Sequence, residues 1–591
     1  MSIYAQPSSD SETVLHGRKA LWRIEEAFPA EIRQALHGRS PMLCHLLYCR
    51  GYRSASEIDA FFSHDIISHD PFLLPDMDRA IERLVRAIEC REQVAVYGDF
   101  DCDGVTSVAV LVATLQRCGL DPIAHLPTRS DGHGLHPEAL ASLADRGVGL
   151  VVTADCGITA IEEVRVARGM GMDVIITDHH EPRPDGSLPD CPAVSPTRHD
   201  SEYPYRFLCG VGVAYKLAQA LGQAIPAAPD PDDLLDLVAL GTVADVVPLL
   251  DENRSLVIQG LERLRRTERT GLLALFRAAG VDPQRIDPVS VSFYLAPRIN
   301  AANRMATPQF AYDLITAYDA GTAESLAAQL GELNRQRQVL VAEKFEEVAA
   351  QIGAPSLVTA EVLEGRMSPL LISIGDWQPG ISGLLASKLV DAYGLPAFVG
   401  SDSGQGIVSV SARGIPGVHI DEILECCESS LLGGLFIGYG GHSRAGGFRI
   451  DADRLPTAID LLESETARQI QIDRIGAVLV VDAEVSLGML SLDAAQKIRT
   501  IAPFGSGFSE PLFLVRGVML KRRSVIGDGK HARFALQSGR DCVDGVSFGV
   551  DQEFLELPLG SRLDVVFHLQ LNDRNGRLKP EMRLRDWRPA T

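Results

Sequence analysis

Between residues 93 and 180, short apolar runs alternate with longer stretches of helical period. VAVYGD (94–99), VGLVVTAD (148–155) and DVIITD (173–178) run apolar and end on polar residues. Val105–Cys118 and residues 158–170 repeat their apolar positions at helical spacing. Strand–helix–strand alternation predicts a parallel sheet with helices on its faces. All three strands end in carboxylates, at the edge where open α/β sheets hold ligands. Residues 231–320 read as mostly helical, and residues 323–352 as one long amphipathic helix. A second α/β pattern starts at PLLISIG (369–375). It continues through a helix over 381–393, strands near 396–413, and GFRI (447–450). After 471 the pattern becomes short alternating strands punctuated by glycine: VLVVDAEV, LFLVRGVML, ARFAL, VSFGV, LDVVFHLQL and MRLRDW. This predicts a small β-barrel. There is no internal repeat and no low-complexity segment.

The 591 residues suggest about four domains, and 46% hydrophobic residues can fill several cores. No apolar run approaches the ~18 residues of a membrane span, and the polar start MSIYAQPSSDSETVLHG has no signal-peptide core. Eleven cysteines form no CxxC pair, and Cys426 and Cys427 are adjacent. That reads as reduced thiols and a cytoplasmic protein. The net charge of −22 is unusual for a nucleic-acid binder, which ordinarily carries a basic footprint. It is uneven, however. Residues 471–591 hold 17 Lys and Arg against 15 Asp and Glu, a net of +2, so the first 470 residues carry −24. Any nucleic-acid path must therefore be a local groove.

Four clusters carry candidate chemistry. GDFDCDG places Asp99, Asp101 and Asp103 at every second position. A calcium-binding EF-hand loop would need a Glu where Val110 stands, and a helix where a strand precedes. The plainer alternative is a polar strand end with helix caps. Asp155 in VVTADCG can serve as a turn residue. Asp178, His179, His180 and Glu181 follow the third strand, and neutral imidazole is a common metal ligand. Asp245 interrupts the apolar run LGTVADVVPL and needs a partner if buried. Taken together, carboxylates and imidazoles at three strand ends of one sheet suit two divalent ions able to clamp a phosphodiester. CGVGVAYK (209–216) lacks the GK[ST] of a phosphate loop. Its glycines read as tight packing of a turn against a helix.

The order GDFDCDG, TADCG, TDHH, GTVAD resembles the DHH phosphoesterase superfamily, and GGHSRAGG (440–447) resembles its DHHA1 domain. YGDFDCDGVTS, CGVGVAYKL, GTVADVVPL, PRINAANRM (297–305), WQPGISGLLASKL (377–389) and PFGSGFSEPLF (503–513) resemble the RecJ family of single-stranded-DNA exonucleases in particular. The likeness runs from about residue 40 to the end. It implies an α/β fold: an N-terminal helical extension (1–75), a DHH parallel-sheet catalytic domain (76–322), a connecting helix (323–353), a DHHA1 α/β domain (354–470) and an OB-fold-like barrel (471–591).

The resemblance also implies two divalent cations, Mn²⁺ or Mg²⁺. Asp101 and Asp155, with Asp99 near, would hold one. Asp103, Asp155, His179 and Asp245 would hold the other, with Asp155 bridging. His180 would face the substrate phosphate, Asp178 would orient a histidine, and Arg129 would reach a phosphate. Arg304, Ser411 and Arg413 are expected at the 5′-phosphate, which the arginine fork fits. Gly440, Gly441 and His442 are expected at the substrate. On the barrel, Lys521, Arg522, Arg523, Lys530 and Arg533 would track phosphates. The resemblance implies a monomeric 5′→3′ exonuclease of DNA repair and recombination, working beside a single-strand-binding protein and a RecQ-type helicase. A shorter DHH–DHHA1 phosphodiesterase is disfavoured by the extra barrel, and a metal-free scaffold by the retained acids. The chain departs from the family pattern at His133 (usually Tyr), Ser195 (Asn), Asn303 (Gly), Gln378 (His) and Phe508 (Asn).

Overall fold

A computed structural model describes residues 14–27, 29–36, 38–63, 65–129, 131–225, 230–352, 368–402, 404, 406–470, 477–527, 529, 531–549, 552–574 and 577–590. The chain divides into two compact units: one of 65–339 with 503–509, the other of 1–64, 340–502 and 510–591.

The first unit holds a parallel five-stranded sheet: β1 (Val94–Gly98), β2 (Ile123–His125), β3 (Leu150–Ala154), β4 (Asp173–Thr177) and β5 (Ala193–Val194). The order is β2-β1-β3-β4-β5 and every pairing is parallel. All five residues of β1 and of β3 are buried, as expected of strands covered on both faces. Strand order reverses between β1 and β3, and such a switch point opens a crevice at the carboxyl ends. Helix α1 (Cys102–Arg117) leaves β1 through a turn so tight that a Cβ on Gly104 would lie 2.4 Å from the Asp99 carbonyl oxygen. Helices α2 (Gly210–Ala224), α3 (Leu235–Ala244) and α4 (Ala296–Met305) follow. The expected connecting helix is α5 (Ala320–Ile352); the unit boundary falls within it, after Val339.

The second unit contains the mixed sheet β6 (Leu371–Gly375), β7 (Ala397–Asp402), β8 (Ile407–Arg413), β9 (Gly438–His442) and β10 (Ala445–Asp451). Its order is β9-β10-β8-β7-β6, with helix α6 (Pro379–Tyr393) between β6 and β7. The same unit contains a barrel of β11 (Phe513–Ile526), β12 (His531–Ser538), β13 (Asp541–Phe548), β14 (Arg562–Arg574) and β15 (Arg577–Pro589), with helix α7 (Gln552–Glu556) before β14. Pairing runs β11-β12-β13-β15-β14 and closes from β14 back to β11, with β13 and β15 parallel. This is the five-stranded closure of an OB-fold.

Two expectations need correction. The N-terminal extension is not purely helical: Val14–His16 and Ala20–Ile24 are strands, and residues 65–75 pack with the first unit. VLVV of the expected barrel lies outside it, because Ala477–Val481 pairs in parallel with Ala20–Ile24. The cause is long-range burial. Trp22 is fully buried among Leu15, Val481, Leu512, Leu514 and Val566, and its Nε1–H donates to Asp586 Oδ2 at 2.8 Å.

Candidate metal centre

The three strand ends converge. Asp99, Asp101 and Asp103 lie on the β1–α1 turn, Asp155 at the end of β3, Asp178–His180 after β4, and Asp245 just past α3. Asp101 caps α1, its Oδ1 accepting from the N–H groups of Asp103 (3.0 Å) and Gly104 (3.1 Å). Asp103 accepts from the N–H groups of Gly210 (2.7 Å) and Val211 (2.9 Å) at the start of α2. His179 Nε2 lies 3.1 Å from Asp155 Oδ1, 3.7 Å from Asp245 Oδ2 and 3.9 Å from Asp103 Oδ2. Ligand atoms within 4.8 Å of one another form three sets: Asp99, Asp101 and Asp155; Asp103, His179 and Asp245; and Asp155, His179 and His180. The structure thus brings together the residues expected from sequence as ligands, with Asp155 in the first and the third set.

The electrostatics fit cations. Burial, then Asp99 and Asp245, pushes Asp101 up to about 6. Burial with Asp245 and Asp101 also raises Asp103 well above the ordinary carboxylate value. Burial with Asp103, Asp101 and Asp99 does the same for Asp155. Carboxylates so crowded cannot all ionise unless positive charge joins them. Among the described residues, Asp155 Oδ1 is moreover buried and accepts no hydrogen bond, with His179 Nε2 3.1 Å away, as an oxygen reserved for a ligand would be. Oxygen donors with one imidazole suit Mg²⁺ or Mn²⁺. Burial alone would lower His180, but the Asp178 carboxylate at 2.7 Å from its Nδ1 raises it to about 9. Burial opposes ionisation of Asp178 as well, yet His180, His179 and the Ile158 N–H hold it well below the carboxylate range.

Several supporting residues escaped the sequence reading. Gly210 is more than a packing glycine, since a Cβ there would lie 2.5 Å from Asp155 Oδ1. Gly210→Ala is expected to cut Mn²⁺ affinity at least tenfold in calorimetric titration while the circular dichroism spectrum persists; unchanged affinity would remove Gly210 from the site. Asn300 Oδ1 accepts from the Cys102 N–H at 2.8 Å. Asn303 donates to the Phe100 carbonyl at 2.8 Å and accepts from Arg129 at 3.3 Å. Arg129 also stacks over Phe100, 4.6 Å from the ring centre. Ser195 Oγ lies 2.8 Å from Thr197 Oγ1, which donates to the His180 carbonyl at 2.7 Å. His133 Nδ1 stands 3.2 Å from Asp99 Oδ1.

The other expected residues are carried by other elements. Arg304 is on α4 of the first unit, whereas Ser411 and Arg413 are on β8 of the second. Arg413 donates to the Ala412 carbonyl at 2.7 Å, and a Cβ on Gly383 would meet its guanidinium at 2.9 Å. Gly440, Gly441 and His442 are exposed on β9. On the barrel, Arg522 pairs with Asp544 at 2.8 Å. Arg523 is committed to structure, donating to the carbonyls of Phe554 and Leu557 at 2.8 and 2.7 Å. Lys521 and Arg533 are exposed, and Lys530 lies outside the described residues. Arg522, Arg523 and Arg533 line a barrel cavity of about 580 Å³ together with Arg577 and Lys579, which the sequence reading passed over.

Three family models match the chain: "DHH family, N-terminal domain" over 93–242, "DHHA1 domain" over 368–468 and "RecJ OB domain" over 481–586. The single-stranded-DNA-specific exonuclease RecJ of Bacillus subtilis is 35% identical over 576 residues, 96% of this chain and 71% of that one. The chain belongs to the RecJ family. RecJ of Escherichia coli is 32% identical over 91% of this chain and 94% of its own. A crystal structure of RecJ from Thermus thermophilus in complex with Mn²⁺ superposes with a TM-score of 0.80 at 28% identity, over 96% of this chain and 80% of that one. A Mg²⁺ complex from the same organism gives 0.75 at 26% identity, over 96% of this chain and 78% of that one. The RecJ structures thus carry the two metals that the donor set here suits. All eleven cysteines are unpaired, and no described helix is long and apolar enough to cross a membrane.

Proposed function

We propose that the protein is a single-stranded-DNA-specific exonuclease that hydrolyses phosphodiester bonds with two divalent cations, Mn²⁺ or Mg²⁺. In this reading it works 5′→3′, releases 5′-mononucleotides, and serves DNA repair and recombination. The observation that carries the proposal is the meeting of two ligand sets, Asp99/Asp101/Asp155 and Asp103/His179/Asp245, at the carboxyl end of one parallel sheet.

Bound there, the cations supply Lewis-acid polarisation of the phosphate and activation of water. The chain's own groups do the rest. Asp155, a member of the first set that lies 3.1 Å from His179 of the second, would help to hold both cations. The α2 N–H groups fix Asp103, so its carboxylate does not reorient on binding. His180 keeps its proton near neutral pH and donates to the phosphate from Nε2, because Asp178 holds Nδ1. Arg129, pinned by Asn303 and Phe100, presents a charge to the neighbouring phosphate without a large ordering cost. The barrel binds single strand through Arg533, Arg577 and Lys579. The reading also includes a monomeric cytoplasmic enzyme, with a single-strand-binding protein and a RecQ-type helicase as partners.

The test offers a labelled single strand, a dinucleotide and a cyclic dinucleotide, each with Mn²⁺ and with EDTA. Mononucleotide release from the 5′ end of the single strand with Mn²⁺, and none with EDTA, is expected. Preference for the cyclic dinucleotide would overturn the substrate class. The barrel is tested by charge reversal, since its removal would strip the cover from Trp22. Arg533→Glu with Lys579→Glu should weaken binding of long single strands and flatten the salt slope by about 0.7 for each phosphate no longer neutralised. An unchanged slope in anisotropy titrations would take the barrel out of the DNA path.

A further inference from the structure

His133 sits between Gly132 and Gly134, whose φ values of 100° and 93° lie in the region that favours glycine. The Asp131 carboxylate closes the same loop, accepting from the N–H (2.8 Å) and hydroxyl (2.7 Å) of Thr128. So built, the loop presents the imidazole directly to the metal centre. Nδ1 lies 3.2 Å from Asp99 Oδ1. The ring meets the His180 ring edge-on, with centroids 4.8 Å apart and planes at 63°, and His180 is itself held on Asp178. A continuous line therefore runs Asp99–His133–His180–Asp178. It joins a member of one proposed ligand set to the histidine proposed to face the phosphate.

We infer that His133 is a positioning residue of the metal centre, its imidazole, with Nδ1 3.2 Å from Asp99 Oδ1, holding that carboxylate in the orientation in which it meets Asp101 and Asp155. The inference rests on the two-cation reading of the site. Asp99 needs such a restraint more than its neighbours do. Asp101 is fixed by the N–H groups at the start of α1 and Asp103 by those of α2. Among the described residues, no hydrogen bond reaches the buried Asp99 Oδ1, and His133 Nδ1 stands 3.2 Å from it. Partners standing behind metal ligands govern affinity by about 10- to 100-fold. His133 is also half-exposed, so a substitution there leaves the core untouched.

Two substitutions separate the proposed Nδ1–H hold on Asp99 from the ring contact. His133→Phe keeps a ring against His180 and loses the donor. His133→Asn loses the ring and keeps an N–H close to the place of Nδ1. The probe is Mn²⁺ alone, titrated calorimetrically into the metal-free full-length chain, with thermal unfolding recorded for each variant. Wild type is expected to take up two ions. His133→Phe should weaken one of them by about 10- to 100-fold and leave the other within twofold. His133→Asn should stay near wild type. Wild type binding fewer than two ions would overturn the two-cation reading itself. If wild type binds two, a Phe variant that binds both as tightly would overturn the inference. An Asn variant as weak as the Phe variant would do the same, since the ring rather than the hydrogen bond would then matter.

Discussion

Asp155→Asn is expected to abolish hydrolysis while leaving the fold and most of the strand affinity in place. Asp155 is proposed to bridge both cations, so the substitution removes one negative charge from both at once. Lewis-acid stabilisation of the transition state is worth several kcal/mol, and about 4 kcal/mol corresponds to about a thousandfold in rate. The fold should survive for a backbone reason. Asp155 has φ of 65°, a left-handed conformation that Asn tolerates about as well as Asp. Its N–H donates to the Thr177 carbonyl at 3.0 Å whatever the side chain. Ala at 155 would be the poorer experiment, because it adds backbone strain. The measurement pairs single-turnover hydrolysis at saturating Mn²⁺ with strand binding. Activity within tenfold of wild type would refute the assignment of Asp155.

Much of this centre was legible because its signals are local. The sheet shows in apolar runs that close on carboxylates, and β1, β3 and β4 each end one residue before that carboxylate. Asp245 was found as a charge interrupting an apolar helix. What failed to show depends on partners far away in sequence. Asn303 braces Phe100 across 203 residues. Trp22 reaches Asp586 across 564, which is why the VLVV strand joined the N-terminal segment rather than the barrel. Gly210 resembled any packing glycine until Asp155 stood beside it.

The same distance hides from the sequence what the residues that depart from the family pattern touch. Asn303 and Ser195 have hydrogen-bonding work that begins on α4 and after β5 and ends at the metal loops. Phe508 is fully buried, with the Arg254 guanidinium 4.5 Å over its ring and the same arginine donating to the Pro503 carbonyl at 2.9 Å. Gln378 precedes α6 as its cap residue. The expected 5′-phosphate residues fall in two units. Periodicity reports which face of an element is buried; it does not report which distant side chain fills the space beside it.

Acidity should separate the metal-free from the metal-loaded protein. Asp101 has an ordinary value of 3.8 and is pushed to about 6 by burial and then by Asp99 and Asp245. The folded state therefore holds a proton there that the unfolded state has released. A carboxyl raised in this way contributes stability that is complete below pH 3.8 and is lost as pH rises through about 6. The two-unit difference is worth about 3 kcal/mol, and Asp103 and Asp155, raised by burial and by neighbouring carboxylates, act in the same direction. His180 acts in the same direction, since its value is raised from 6.5 to about 9 and its stabilisation fades as pH rises through 9. Asp178 is lowered; its contribution is lost only as pH falls below the ordinary carboxylate value, outside this window. Metal-free protein should therefore melt at a lower temperature at pH 8 than at pH 5. Mn²⁺ reverses the slope, because the cation binds the deprotonated carboxylates and stabilises the folded state in proportion to its occupancy. Melting curves at pH 5 and pH 8, with EDTA and with saturating Mn²⁺, are the measurement. The Mn²⁺-induced rise should be several degrees at pH 8 and small at pH 5. An equal rise at both values would mean that the buried carboxylates do not carry the cations, and the ligand assignment would fall with that result.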